Sequence, residues 1–183
     1  RHFVRDFTLL LANTGLRFGE ARKLKWKDVK IVRGRKDDNK KLIEIDLPKS
    51  YSKNKKARVV QGRRGGILER IKSYSNYTSH NDFVFVDNKS GQQLSRYSMY
   101  RAWHFMLDET GLRKGPKEIT FYNLRHTYAT WQLYKGVDPY LLKENLGTGL
   151  TYLENHYGQV ETRKLRDELT KYFDESMRYL IEE

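Results

Sequence analysis

The 183-residue chain contains no cysteine, which removes disulfide frameworks, thiol nucleophiles and cysteine zinc sites from consideration and fits an intracellular protein. An apolar fraction of 38% suffices for one packed domain, and no apolar run approaches the ~20 residues of a membrane helix. The net charge of +13 is concentrated: residues 1–72 carry 22 Lys/Arg against 8 Asp/Glu, and the remainder carries 14 against 15. A basic excess confined to one part of a chain is the electrostatic signature of a nucleic-acid partner, although a solubilising lysine surface would look the same on charge alone.

Taken in order, Phe3, Val4, Phe7, Leu10 and Leu11 recur at helical spacing and predict an amphipathic helix over residues 2–12, broken by Asn13-Thr14-Gly15. A second helix is expected from Arg17 to Trp26. Residues 33–41 are charged and irregular and read as a turn. Leu42 to Leu47 alternates apolar and polar, which predicts a strand closed by Pro48; Ala57 to Val60 reads as a second strand. Helices are expected over Ile67–Tyr77, Ser95–Thr110, from Thr120 or Asn123 to Tyr134, over Pro139–Leu146, Tyr152–Tyr157 and Thr162–Ile181, with Asp82–Val86 as a short buried apolar run. The pattern is one domain, mostly helical, with one small sheet.

Several segments carry chemistry. In Thr14-Gly15-Leu16-Arg17-Phe18-Gly19-Glu20, a glycine turn puts Arg17 in the first turn of a helix, where backbone N–H groups favour an anion. Glu20, three residues on, shares its face and can hold the guanidinium; taken alone, a surface ion pair satisfies the same segment. Lys53 lies in the basic turn Ser52-Lys53-Asn54-Lys55-Lys56-Ala57-Arg58. Arg125 lies in Ile119-Thr120-Phe121-Tyr122-Asn123-Leu124-Arg125-His126-Thr127, with Tyr122 on its face and His126, turned to another side, read as structural. Leu146-Gly147-Thr148 follows, then Glu154-Asn155-His156-Tyr157, with Tyr157 nine residues after Thr148.

In this order the segments resemble the catalytic core of the tyrosine recombinases, or phage integrases, from about Phe7 to the final helix. The resemblance implies an α+β fold, a mostly α-helical single domain with a small antiparallel β-sheet. It further implies that residues 1–183 are the catalytic domain, without the family's N-terminal core-binding domain. The activity it implies is site-specific cleavage and rejoining of DNA through a 3′-phosphotyrosine, for integration or excision of a phage or mobile element.

The same resemblance implies the roles of individual residues. Arg17 and Arg125 would grip the scissile phosphate, Glu20 would orient Arg17, Lys53 would protonate the leaving oxygen and Tyr157 would be the nucleophile. Lys25, Lys55, Lys56 and Arg58 would bind the DNA backbone. Tyr122 and Thr148 stand where the family usually has histidine, or histidine or tryptophan; each hydroxyl can donate to a phosphate oxygen but cannot shuttle protons as imidazole does. This matches a subgroup of phage and genomic-island integrases with Tyr-x-Leu-Arg-His-Thr. Double-stranded DNA is the implied partner, with a homo-tetramer assembled on it. Neither a metal nor a cofactor is required, no membrane is involved, and the implied location is the cytoplasm, on DNA. Two rivals stand beside this: a type IB topoisomerase-like core, and a non-catalytic basic DNA-binding module derived from a recombinase. The last helix has an apolar stripe that would dock on a neighbouring protomer or on its own domain.

Overall fold

The computed structural model describes residues 2–34, 37–52, 55–115 and 118–155. Lys53, Tyr157 with the preceding His156, and the helix expected over Thr162–Ile181 lie outside the described residues.

Helix α1 (His2–Thr14) is amphipathic as its spacing predicts, and it buries Val4, Phe7, Leu10 and Leu11. Each such side chain contributes about 1.5–3 kcal/mol on burial. Phe7 lies at the centre of the main core. Its ring meets Phe18, Phe85 and Phe121 edge-on, at centroid distances of 5.4, 4.8 and 5.5 Å, so one residue ties α1 to three distant segments.

Beside the apolar face of α1, one turn before Leu10, lies a buried carboxylate. Asp6 accepts from Arg70 Nε and Nη2, from Arg5 Nε at 3.1 Å and from the Tyr74 hydroxyl at 2.8 Å. Burial alone would raise its pKa, but the hydrogen bonds from Arg70, Arg5 and Tyr74 outweigh burial and hold it below the usual carboxylate value. Through Asp6, α1 is fastened to α3 (Gly66–Tyr74).

Helix α2 (Phe18–Lys23) is shorter than the expected Arg17–Trp26 span. The chain leaves it at Leu24 because residues 24–26 pair sideways with the apolar run after Ser79. The Leu24 carbonyl accepts from Val84 N–H at 2.9 Å, and the Trp26 N–H reaches the Asp82 carbonyl at 3.0 Å. Val84, Phe85 and Val86 are thereby wholly buried, as the apolar run predicts.

The sheet is antiparallel in the order β1 (Val29–Gly34), β2 (Asp37–Leu47), β3 (Arg58–Arg63). Ile43, Ile45 and Leu47 alternate inward, and Ile45 faces Val60 across the β2–β3 ladder. The turn expected over 33–41 is corrected: β1 runs to Gly34 and β2 starts at Asp37, with Arg33 opposite Lys41. Charge did not prevent extension there because the exposed residues of this arm keep their hydration.

Helix α4 (Arg96–Glu109) starts at Ser95, whose hydroxyl accepts from Ser98 N–H at 3.0 Å. Helix α5 (Phe121–Tyr134) opens with a capping box: the Thr120 hydroxyl accepts from Tyr122 N–H, and Asn123 Oδ1 accepts from Thr120 N–H at 2.8 Å. Helix α6 (Pro139–Leu146) has Pro139 in its first turn and Asp138 accepting from Tyr140 and Leu141 N–H. Tyr128, Ala129 and Leu133 of α5 form a second core cluster with Leu142, Leu146 and Leu153. That cluster sets the C-terminus of α6 beside the turn after α1. Residues 150–155 are helical. Among the described residues no helix is long and apolar enough to cross a membrane.

Candidate active site

Three arginines from three separate elements converge on the end of α6. Arg58, at the start of β3, donates from Nε to the Asn145 carbonyl at 3.0 Å. Arg125, on α5, donates from Nη2 to the Leu146 carbonyl at 2.8 Å. Arg17, at the start of α2, donates from Nη2 to the Gly147 carbonyl at 2.9 Å. These are carbonyls of the kind that a helix C-terminus leaves without intrahelical partners, and the negative end of the helix dipole favours cations there. The helix ends in a Schellman-type turn, with Gly147 N–H to the Glu144 carbonyl and Thr148 N–H to the Lys143 carbonyl, both at 3.2 Å.

Two glycines make this convergence possible. Gly147 has φ +62°, and a Cβ there would stand 2.8 Å from the Arg58 guanidinium carbon. Gly15 has φ +69°; a Cβ there would meet the Tyr128 ring at 2.5 Å and Leu146 at 2.6 Å. The Gly15 carbonyl accepts from Arg125 Nη1 at 2.7 Å. The turn that the sequence predicts before Arg17 thus also anchors Arg125.

Glu20 is the carboxylate shared within this cluster, and it is buried. Its Oε1 accepts from Arg17 Nη1 at 2.9 Å and Arg58 Nη1 at 3.1 Å; its Oε2 accepts from Arg58 Nη2 at 2.8 Å and Arg17 N–H at 3.0 Å. Burial acts to raise the Glu20 pKa, but the hydrogen bonds and charges of Arg58 and Arg17 prevail and hold it below the ordinary value. Burial, followed by the positive charge of Arg17, pushes Arg125 down to about 10, against which Glu20 compensates only in part. Arg125 therefore remains a cation at neutral pH, in a place where a further negative charge would be stabilised. Three guanidiniums are gathered around one carboxylate, which leaves a local excess of positive charge, and the planar forks of Arg17 and Arg125 are of a kind that suits paired phosphate oxygens.

Tyr122 is 47% exposed and its hydroxyl lies 2.7 Å from that of Tyr152. His126 packs edge-on against the Tyr122 ring at 4.5 Å. Thr148 is half-buried at the end of the α6 turn.

The four cations expected to contact DNA divide into two kinds. Lys55 and Lys56 are exposed beside the β2–β3 connection, and Lys25 has its Nζ 5.3 Å from the centre of the Phe83 ring. The Arg58 side chain is only 8% exposed and is turned inward onto Glu20 and Asn145, which is not the geometry of a backbone-phosphate contact. Period-two reading would have found this, because Arg58 shares its face with the buried Val60 and Gly62.

Asn145 carries no sequence signal at all. Its side chain closes the free edge of β3, with Oδ1 accepting from Gln61 N–H at 2.7 Å and Nδ2 donating to the Gln61 and Thr14 carbonyls, each at 3.3 Å, and to the Tyr128 hydroxyl at 3.0 Å. Among the described residues no group of three or more His, Asp or Glu could hold a metal ion.

The model of the phage integrase family matches residues 3–163. The chain belongs to the phage integrase family. This integrase-family chain is 31% identical over 174 residues to a tyrosine recombinase of Agathobacter rectalis, covering 91% of this chain and 51% of that one. It is 29% identical over 175 residues to the tyrosine recombinase XerA of Pyrococcus furiosus, covering 90% and 53%. The chain thus spans about half the length of the curated relatives it matches. Among solved structures it resembles the XerH site-specific recombinase bound to palindromic difH substrate in a post-cleavage complex, with a TM-score of 0.67 and 22% identity over 92% of this chain and 45% of that one. The crystal structure of XerA recombinase gives 0.63 and 21%, over 94% and 58%. The integrase fold, helical with a small antiparallel sheet, is therefore the fold expected from the sequence.

Proposed function

We propose that this chain is the catalytic part of a site-specific DNA recombinase that cleaves and rejoins double-stranded DNA through a covalent tyrosine intermediate. The observation that carries the reading is the pinning of Arg17 and Arg125 to adjacent carbonyls of one helix end, with a surplus of positive charge around Glu20. Such a pair holds a phosphodiester by its non-bridging oxygens and stabilises the extra charge of the transition state, usually the largest electrostatic contribution to such a reaction.

Tyr157 attacks the phosphorus in line. A bond forms between its phenolic oxygen and phosphorus as the phenolic proton passes to solvent, the bond to the 5′ oxygen breaks, and Lys53 gives the leaving oxygen its proton and is reprotonated from solvent. The product is a 3′-phosphotyrosine and a free 5′-hydroxyl. Attack of a 5′-hydroxyl on that adduct reverses the steps and rejoins the strand without an external energy source. Tyr122 and Thr148 act as hydroxyl donors to the phosphate. Lys25, Lys55 and Lys56 bind neighbouring backbone phosphates, and strand exchange takes place in a tetramer on DNA. The relatives named as tyrosine recombinases support this reading.

The test is incubation of the chain with a duplex spanning the junction of its own mobile element, nicked so that the cleaved fragment diffuses away. A detergent-resistant protein–DNA adduct is expected. No adduct on any junction sequence, with DNA binding retained, would favour the non-catalytic module.

A further inference from the structure

We propose that Arg58 is a positioning residue, which orients Arg17 and the C-terminus of α6 rather than touching DNA. The proposal rests on the recombinase reading for its catalytic consequence, and on geometry alone for its structural part.

The Arg58 side chain is 8% exposed and uses all three of its nitrogens: Nη1 and Nη2 on the two oxygens of Glu20, and Nε on the Asn145 carbonyl. Glu20 in turn holds both the guanidinium and the backbone N–H of Arg17. Arg58 therefore links three elements, β3, α2 and α6, at the point where Arg17 meets the Gly147 carbonyl. The close approach of Gly147 leaves no room for a side chain between them. A lysine has one ammonium and cannot span two carboxylate oxygens and a carbonyl in one plane.

The experiment uses the 183-residue chain with Arg58→Lys, with Arg58→Gln for the salt slope because a lysine would keep the charge, and with Glu20→Gln as a further variant that preserves shape if the others unfold at assay temperature. Four quantities are read: the melting temperature, the salt slope of binding to non-specific duplex DNA, the NMR signals of the Arg17 and Arg125 Nε–H groups, and the single-turnover rate of adduct formation at saturating junction DNA. Positioning predicts an unchanged salt slope, a displaced Arg17 Nε–H signal, and a rate lowered roughly 10- to 100-fold, as expected for a small misplacement of a reacting group. A slope shallower by about 0.9 with the Arg17 signal unmoved would make Arg58 a phosphate contact and overturn the proposal. A lowered melting temperature with signal and rate both unchanged would overturn it equally. If the unsubstituted chain forms no adduct, the recombinase reading fails, and the Arg17 signal still decides whether Arg58 positions it.

Discussion

Glu20 receives Arg58 through both carboxylate oxygens, at 3.1 and 2.8 Å, while the same oxygens hold Arg17. One buried carboxylate thus fixes two guanidiniums relative to each other. Removing it leaves buried cations facing one another, a change that typically costs about 3–5 kcal/mol when the partner charge is fully desolvated. Glu20→Ala is expected to lower stability by that order, measured by urea unfolding of the chain. An effect below about 1 kcal/mol would show that the pair is solvated.

Acid should destabilise the protein through two carboxylates. Asp6 and Glu20 are both held below their ordinary pKa values in the fold. Each therefore contributes stability that is complete above its unfolded pKa, about 3.9 for Asp and 4.3 for Glu, and is lost as pH falls through the lower folded value. The melting temperature should be flat from pH 7 to about 5 and drop steeply below about 4. Asp6→Asn and Glu20→Gln should melt lower at pH 7 and show a shallower acid limb. Curves parallel to that of the unsubstituted chain would contradict this.

The turn at the end of α6 tolerates glycine alone at position 147. Gly147→Ala must hold a side chain at φ +62° and push the Arg58 guanidinium from 2.8 Å. The backbone conformation alone costs about 1–2 kcal/mol, and displacement of Arg58 adds to it. Calorimetric unfolding should register the loss, and adduct formation should slow with it.

Much of this was legible in the sequence because local rules and global fold agree. The Thr120 and Asn123 capping box, Pro139 at the start of α6 and the Phe7 stripe each specify their element locally. Gly15, Arg17 and Glu20 could be read as one unit because a glycine turn and a three-residue spacing suffice to define it. What escaped depends on long-range contacts. Asn145 closes a strand edge 84 residues away in sequence, and Tyr152 meets Tyr122 across 30, neither of which leaves a local pattern. The short α2 escaped because its end is decided by pairing with the run after Ser79, not by its own residues. Arg58 looked like one more cation in a basic stretch, although the alternation of its strand points it inward.

Tyr122 and Thr148 should act as hydrogen-bond donors and not as proton shuttles. Tyr122→His with Thr148→His is expected to leave the cleavage rate within about tenfold, roughly 1.4 kcal/mol of barrier. A much larger gain in single-turnover rate would show that hydroxyls at these positions had weakened the enzyme.

Binding to DNA should weaken steeply with salt, since each neutralised phosphate of a duplex releases roughly 0.9 counterion. Lys55→Ala and Lys56→Ala should each make the slope shallower by about that amount, on all sequences alike. A salt slope near zero in the unsubstituted chain would refute the electrostatic interface.

The central claim is that Tyr157 becomes joined to DNA, and peptide mapping of the trapped adduct tests it most directly. A phenol attacks a phosphodiester only where its proton is withdrawn and the phosphate charge is neutralised, and the proposal gives that place, with Arg17 and Arg125 on the phosphate, to Tyr157. Tyr152, five residues earlier, is the nearest competitor, and its hydroxyl is already engaged with Tyr122. Digestion of the adduct should yield a peptide carrying nucleotide on Tyr157, and Tyr157→Phe should bind DNA normally yet form no adduct. Nucleotide on Tyr152 or any other tyrosine, or an adduct that survives Tyr157→Phe, would contradict the account.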